Sequence, residues 1–88
     1  MNLRLRCVHS LKEKRSVVRP ILDGAHRRFG VAVAEVGHQD SLREATLGMA
    51  TVSGSPRHAG EVLDEVERFV WSFPEIEVVS CERNWMER

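Results

Sequence analysis

The chain has 88 residues, of which 13 are basic and 13 are acidic, so its formal net charge is zero. This length suits one small domain, and we expect residues 1–88 to form it. No apolar run approaches the ~20 residues of a membrane span, and no signal peptide opens the chain, which argues against a membrane protein. Cys7 and Cys81 lack the spacing of a metal site, so the expected location is a reducing, cytoplasmic one.

The zero net charge conceals a division along the chain. Residues 1–28 carry eight basic and two acidic side chains, whereas residues 29–88 carry five basic and eleven acidic ones. A basic patch of this kind can serve an anionic partner. It can equally be neutralised by the acidic part of the chain, across a pair of helices. Both interpretations are open at this point.

The first predicted elements are a strand and a helix. The stretch NLRLRC alternates Leu3, Leu5 and Cys7 with arginines, which predicts a half-buried strand that places Cys7 in the core. Ser10 then matches a helix N-cap, and Glu13 completes a capping box. The apolar stripe of helix 1 consists of Leu11, Val18, Ile21, Leu22 and Ala25.

Helix 1 contains a proline and has a defined end. Pro20 removes one backbone donor from the helix, which predicts a bend at that position. Gly30 follows Phe29 and is typical of a helix C-terminus.

Two strands, a second helix and a final strand follow. VAVAEV (31–36) and ATLGMATVS (45–53) predict a hairpin with a longer loop. Ser55 caps helix 2 and Pro74 ends it, because the residue before a proline disfavours the helical conformation. EIEVVSCE (75–82) predicts the last strand. The apolar stripe of helix 2 consists of Ala59, Val62, Leu63, Val66, Phe69, Val70 and Phe73.

The order βαββαβ predicts a ferredoxin-like α+β fold. Right-handed crossovers then give a four-stranded antiparallel sheet in the order 4-1-3-2, with both helices on one face. Strands 1 and 4 are antiparallel, which places Cys7 and Cys81 about 17 Å apart. A disulfide needs Cα atoms within about 7 Å, so we expect two free thiols.

Helix 1 presents the densest basic stretch of the chain. A helical projection places Lys12, Arg15, Arg19 and His26 on one flank, whereas Lys14 projects toward the apolar stripe. The stem of Lys14 can cover apolar surface while its ammonium reaches the loop between strands 2 and 3. The topology brings that loop to the start of helix 1, and its candidate partners are His38, Gln39 and Asp40. Among these, Asp40 is the expected ion-pair partner of a helix 1 base.

Four stretches of the chain resemble a known family. HSLKEKRSVVRPIL, AEVGHQD, ATLGMATVSG and VLDEVERFV…PEIEVVS, within residues 8–83, are similar to the YlxP-like family of small bacterial proteins of unknown function. The resemblance implies a ferredoxin-like fold. Members are often encoded beside transcription and translation factors, which implies work near RNA or the ribosome. Family members usually have several more residues ahead of strand 1, so we expect a short strand 1 here.

The motifs offer no support for an enzyme. His38, Asp40 and Glu44 can converge in the strand 2–3 loop, but their spacing matches no known metal site. The sequence contains no glycine-rich phosphate loop, no G-x-S-x-G and no Cys–His pairing. We therefore expect no catalytic residues, no cofactor and no bound metal.

RNA recognition of the stacking kind is also disfavoured. That mode needs aromatic side chains on the central strands, and no predicted strand carries one. RNA would instead meet phosphate-binding groups: the cations Lys12, Lys14, Arg15 and Arg19, and the N-terminal end of helix 1. The competing interpretation is that these cations form a solvated face partly paired with the acidic helix 2.

The open sheet face suggests a different partner. Small apolar residues occupy it on strands 2 and 3, where polar residues are normal, and this pattern favours burial by a homodimer or another protein chain. The candidate interface residues are Ala32, Ala34, Gly48 and Ala50. Trp71 lies off the stripe of helix 2, and we expect the tail that contains Trp85 and Met86 to cover it.

The leading prediction is a non-enzymatic cytoplasmic protein that acts near RNA or the ribosome through helix 1. The alternative is a protein-interaction or dimerisation module that uses the sheet face without RNA contact, and a small enzyme ranks third.

Overall fold

A computed structural model describes residues 1–86 and has the predicted βαββαβ order. Its elements are β1 (Asn2–Leu5), α1 (Leu11–Phe29), β2 (Ala32–Gly37), β3 (Glu44–Ala50), α2 (Pro56–Trp71) and β4 (Ile76–Ser80). The antiparallel sheet has the order β2-β3-β1-β4, so the predicted ferredoxin-like topology is confirmed. β1 is short, with four residues.

The helix ends follow from their capping residues. The Ser10 hydroxyl accepts a hydrogen bond from the Glu13 N–H, and the Glu13 carboxylate accepts one from the His9 N–H. Gly30 ends α1 in the left-handed conformation (φ 65°), where an L side chain would be strained. Ser55 caps α2 by accepting from the His58 N–H. α1 is continuous through Pro20.

The core lies between the sheet and the two helices. The alternating residues Leu3 and Leu5 face it from β1, and the apolar stripes of both helices pack on them from the other side. Leu11 is an exception to the predicted stripe of α1, because it is 43% exposed. α1 and α2 approach closely at Gly24, where an added Cβ would overlap the ring of Phe69. The buried apolar residues are Leu3, Leu5, Val18, Ile21, Ala25, Val31, Ala45, Leu47, Ala59, Val66, Val70, Ile76 and Val78.

The prediction that Cys7 lies in the core is wrong. β1 ends at Leu5, and Cys7 is exposed with a left-handed φ of 52°. The chain must turn there to enter α1 at Ser10, so the alternation of the strand does not extend to Cys7. Cys81 is also exposed, and both thiols are free.

The tail after β4 does not cover Trp71, contrary to the prediction. Arg83 holds the tail against α2 through an ion pair with Asp64 at 2.8 Å. Trp85 then lies 3.8 Å from the position a Cβ would take on Gly60, near the start of α2. Trp71 is at the other end of α2 and is 59% exposed.

Candidate functional site

Lys14 is the most deeply buried charged residue of the described chain, with 2% of its surface exposed. It lies in the first turns of α1 and points toward the sheet. Its ammonium donates hydrogen bonds to the carbonyl oxygens of His38 (2.6 Å) and Glu44 (2.9 Å). It also contacts Glu35 Oε2 at 2.9 Å. The two hydrogen bonds fasten both ends of the β2–β3 loop to α1, and the contact with Glu35 is an ion pair in which Oε2 makes no hydrogen bond.

Glu35, and not Asp40, is the carboxylate that pairs with Lys14. Glu35 faces the helices from β2, and its side chain is 20% exposed. Asp40 is exposed and takes part in none of the ion pairs found within residues 1–86. The predicted reach of Lys14 to the loop is therefore found, but the expected acidic partner was the wrong one.

The loop itself has a defined conformation. His38 has a left-handed φ of 60°, and its Nδ1 lies 3.3 Å from Glu44 Oε2. Gln39 donates a long hydrogen bond of 3.4 Å to the Glu35 carbonyl at the free edge of β2. The loop thus folds back on the strand that precedes it. The side chains of His38 and Gln39 are used in local contacts of the chain.

The other cations of the α1 start form an exposed row, which we call the basic flank: Lys12, Arg15 and Arg19. These residues, with Ser16 between them, line a shallow groove of about 340 Å³. They recur at intervals of three and four residues, and so they lie on one side of the helix over about 10 Å. The basic flank borders the β2 side of α1, where His26 Nδ1 lies 3.1 Å from the Val31 carbonyl oxygen.

The basic flank lies on the side of α1 that faces away from α2. Gly24 marks the α2 side because it packs on Phe69. Arg15 is nine residues from Gly24, which is about 180° around a helix of 3.6 residues per turn. Within residues 1–86, no ion pair joins α1 to α2. The acidic side chains Asp64 and Glu67 of α2 instead hold Arg83 of the tail.

Some negative charge remains near the basic flank. Asp23 is exposed on the same side of α1, one turn beyond Arg19. Glu13 is close in sequence, but its carboxylate serves the helix cap by accepting from the His9 N–H. The cap of α1 thus occupies part of the N-terminal end that the sequence suggested for an anion. Free positive charge at this end comes mainly from side chains.

The open sheet face has an apolar half. Ala32 pairs with Ala50, and Ala34 pairs with Gly48, with the three alanines exposed. Val36 sits at a bulge of β2, is 59% exposed, and lies 3.0 Å from the position a Cβ would take on Gly48. The side chain of Val36 therefore fills the space above Gly48, and a larger residue at position 48 would force Val36 to move.

The other half of the sheet face is polar. Arg4 and Glu77 form an ion pair across β1 and β4 at 3.6 Å. Asn2 donates to the Ser80 hydroxyl and accepts from Thr46. The open face therefore changes from charged and hydrogen-bonded to apolar between β1 and β2.

Other chemical sites are sparse in the described chain. Among residues 1–86, no three side chains of metal-binding type come together. Although Cys81 is exposed, partial desolvation of its thiol raises its pKa, and so does the nearby Glu67 carboxylate, which disfavours the reactive thiolate. None of the helices in the described part of the chain is long and apolar enough to cross a membrane.

Comparison with known proteins agrees with the motifs. A family model described as "Protein of unknown function (DUF503)" matches residues 1–83. The chain is also 40% identical over 76 residues to the uncharacterized protein YlxP of Bacillus subtilis (strain 168), a match that covers 86% of this chain and 83% of YlxP. Neither description names an enzymatic activity. The predicted YlxP-like resemblance is confirmed, and the chain belongs to the DUF503 family of bacterial proteins of unknown function.

Proposed function

We propose that this protein is a non-enzymatic, cytoplasmic RNA-binding protein that contacts phosphates through the basic flank of α1. The observation that carries the proposal is the position of Lys12, Arg15 and Arg19. They form an exposed row on the side of α1 opposite to α2, and within residues 1–86 no carboxylate is ion-paired with them. Cations that serve the fold would instead face acidic neighbours, as Lys14 does.

The buried lysine supports the same proposal. Lys14 ties the β2–β3 loop to α1, so the surface next to the basic flank is held in place before any ligand arrives. A surface whose backbone is already ordered loses less conformational entropy on binding than a flexible one. Association with genes for transcription and translation factors, implied by the family resemblance, is consistent with an RNA partner.

The test is RNA binding by fluorescence anisotropy at low salt, with charge reversal of the basic flank. The first triple variant combines Lys12→Glu, Arg15→Glu and Arg19→Glu. It should abolish RNA binding and leave the melting temperature nearly unchanged, because exposed charges add little stability. The matched control reverses three exposed arginines elsewhere, Arg27, Arg57 and Arg68, and changes the net charge by the same amount.

The control separates position from total charge. If both triple variants lose binding equally, the attraction is non-specific and the basic flank is not the site. If the wild type fails to bind RNA even at low salt, the proposal is wrong. A large loss of melting temperature in the first variant would mean that these cations stabilise the fold.

A second candidate function is homodimerisation through the apolar half of the open sheet face. It is favoured by the exposure of Ala32, Ala34 and Ala50 on two paired strands of the open sheet face. Ala50→Glu should lower the mass measured by light scattering and leave the monomer folded. Gly54→Glu, in an open loop position, is the control. A wild-type monomer at high concentration would eliminate this candidate.

A further inference from the structure

The surroundings of the basic flank restrict the kind of RNA it can bind. Resting on the proposed function, we infer that the basic flank recognises the phosphate backbone of double-stranded RNA, and not the bases of a single strand. Single-strand binding draws much of its affinity from bases stacked on aromatic side chains next to a positive groove. Readout of unpaired bases also needs free polar groups that can reach base edges.

The aromatic side chains lie away from the basic flank. Phe69 packs edge-to-face on Phe29 and Phe73, with ring centroids 5.7 and 5.1 Å away, between the helices. Trp71 follows Phe69 by two residues, about 200° around α2, and so it points away from α1. Trp85 lies against Gly60, which is about 180° from Phe69 on the same helix. These are all the Phe, Trp and Tyr residues of the chain. The one imidazole on the flank itself, that of His26, is held against the Val31 carbonyl oxygen at 3.1 Å.

Polar groups on the flank side of α1 and in the β2–β3 loop are already used by the fold. The Gln39 amide donates to the Glu35 carbonyl, and a ring nitrogen of His26 meets the Val31 carbonyl. The Ser16 hydroxyl donates to the Glu13 carbonyl at 2.7 Å. Apart from the Asp23 carboxylate, the groups left for a ligand are long cationic side chains, which bind phosphates and carry no sequence information by that contact.

A row of cations on one helix suits a ligand whose phosphates are already ordered. Lys12, Arg15 and Arg19 are spaced along about 10 Å of a single helix. A duplex offers a dense and fixed array of phosphates, recognised mainly by shape and backbone. A flexible single strand would have to be ordered along the same row without the stacking energy that normally offsets this cost.

The experiment compares three ligands on the intact protein: an RNA duplex of about 16 base pairs, a duplex of shuffled sequence, and an unstructured oligouridine of equal length. We expect the two duplexes to bind equally, and both to bind at least about tenfold more tightly than oligouridine at about 50 mM salt. Three neutralised phosphates give a slope of log affinity against log salt of about −2.7. Lys12→Gln, Arg15→Gln and Arg19→Gln should each reduce the slope by about 0.9.

The outcomes distinguish this inference from the proposed function. Equal or tighter binding of oligouridine would overturn the inference and leave RNA binding by the basic flank intact. A strong difference between the two duplexes would overturn it as well, because it would require base readout. Failure of every RNA ligand to bind would overturn both. Circular dichroism of the three Gln variants checks that a changed slope does not reflect unfolding.

Discussion

The buried Lys14 permits a quantitative test of the loop attachment. Lys14→Met keeps most of the apolar stem and removes the ammonium, so the carbonyls of His38 and Glu44 lose their donor and Glu35 loses its counter-charge. Removing one partner of a buried ion pair costs about 3–5 kcal/mol. The Glu35 side chain keeps 20% exposure and some hydration, so we expect the lower end, about 3 kcal/mol.

The loss should be visible by two methods. Urea denaturation followed by circular dichroism measures the free energy of unfolding directly. For a domain of this size, 1 kcal/mol shifts the melting temperature by about 4–8 °C, so the variant should melt roughly 12–24 °C lower. Lys12→Met is the matched control because it makes the same chemical change two residues away on the exposed side, and it should cost less than about 0.5 kcal/mol.

A double variant separates the ion pair from the two hydrogen bonds. Lys14→Met with Glu35→Leu removes both charges, and buried ion pairs replaced by apolar residues are often close to neutral in stability. The two loop carbonyls still lack their donor, so about 1–2 kcal/mol of the loss should remain. If Lys14→Met costs no more than Lys12→Met, Lys14 does not hold the loop as the structure indicates.

Two further predictions concern helix packing and thiol reactivity. Gly24→Ala should destabilise the fold by about 1–2 kcal/mol in urea denaturation, because the overlap with Phe69 outweighs the usual stabilisation of about 1 kcal/mol that alanine gives a helix. Gly60→Ala should instead stabilise the fold, because an added Cβ there meets only Trp85, at 3.8 Å. Equal effects at the two glycines would contradict the close helix contact. Glu67→Gln should lower the raised pKa of Cys81 and so increase its alkylation rate at about pH 8, as read by peptide mass mapping, while Cys7 is unaffected. An unchanged rate at Cys81 would show that Glu67 does not control the thiol.

Local signals in the sequence were sufficient for the elements and their order. Ser10 with Glu13, Gly30, and Ser55 with Pro56 mark helix ends by the same hydrogen bonds and backbone conformations seen in the structure. Strand alternation was less reliable at an end. Cys7 continues the apolar phase of β1, yet the chain leaves the sheet after Leu5 because it must turn toward α1.

The partner of Lys14 depended on a contact between distant parts of the chain. The sequence contained a signal for it, because assigning Ala32 and Ala34 to the open face puts Glu35 in the opposite phase, toward the helices. An inward-facing carboxylate and an inward-facing lysine are then expected to form an ion pair, because burying either charge without a partner is costly. Asp40 lies in an exposed loop, so its carboxylate is hydrated and needs no ion-pair partner. The position of Trp85 had no comparable signal, since it depends on the path of the tail after Arg83.

Two lysines in one short stretch, Lys12 and Lys14, have opposite environments because of helix geometry. They are two residues apart, which is about 200° around α1, so Lys14 faces the sheet and Lys12 faces solvent. Lys14 can be buried because two carbonyls accept hydrogen bonds from its ammonium and Glu35 balances its charge. Lys12 has no such requirement and is available, with Arg15 and Arg19, to a ligand. The stretch therefore contains one lysine that holds the β2–β3 loop on α1 and one that is exposed to solvent beside Arg15 and Arg19. Mutating each lysine separately distinguishes an effect on stability from an effect on RNA binding.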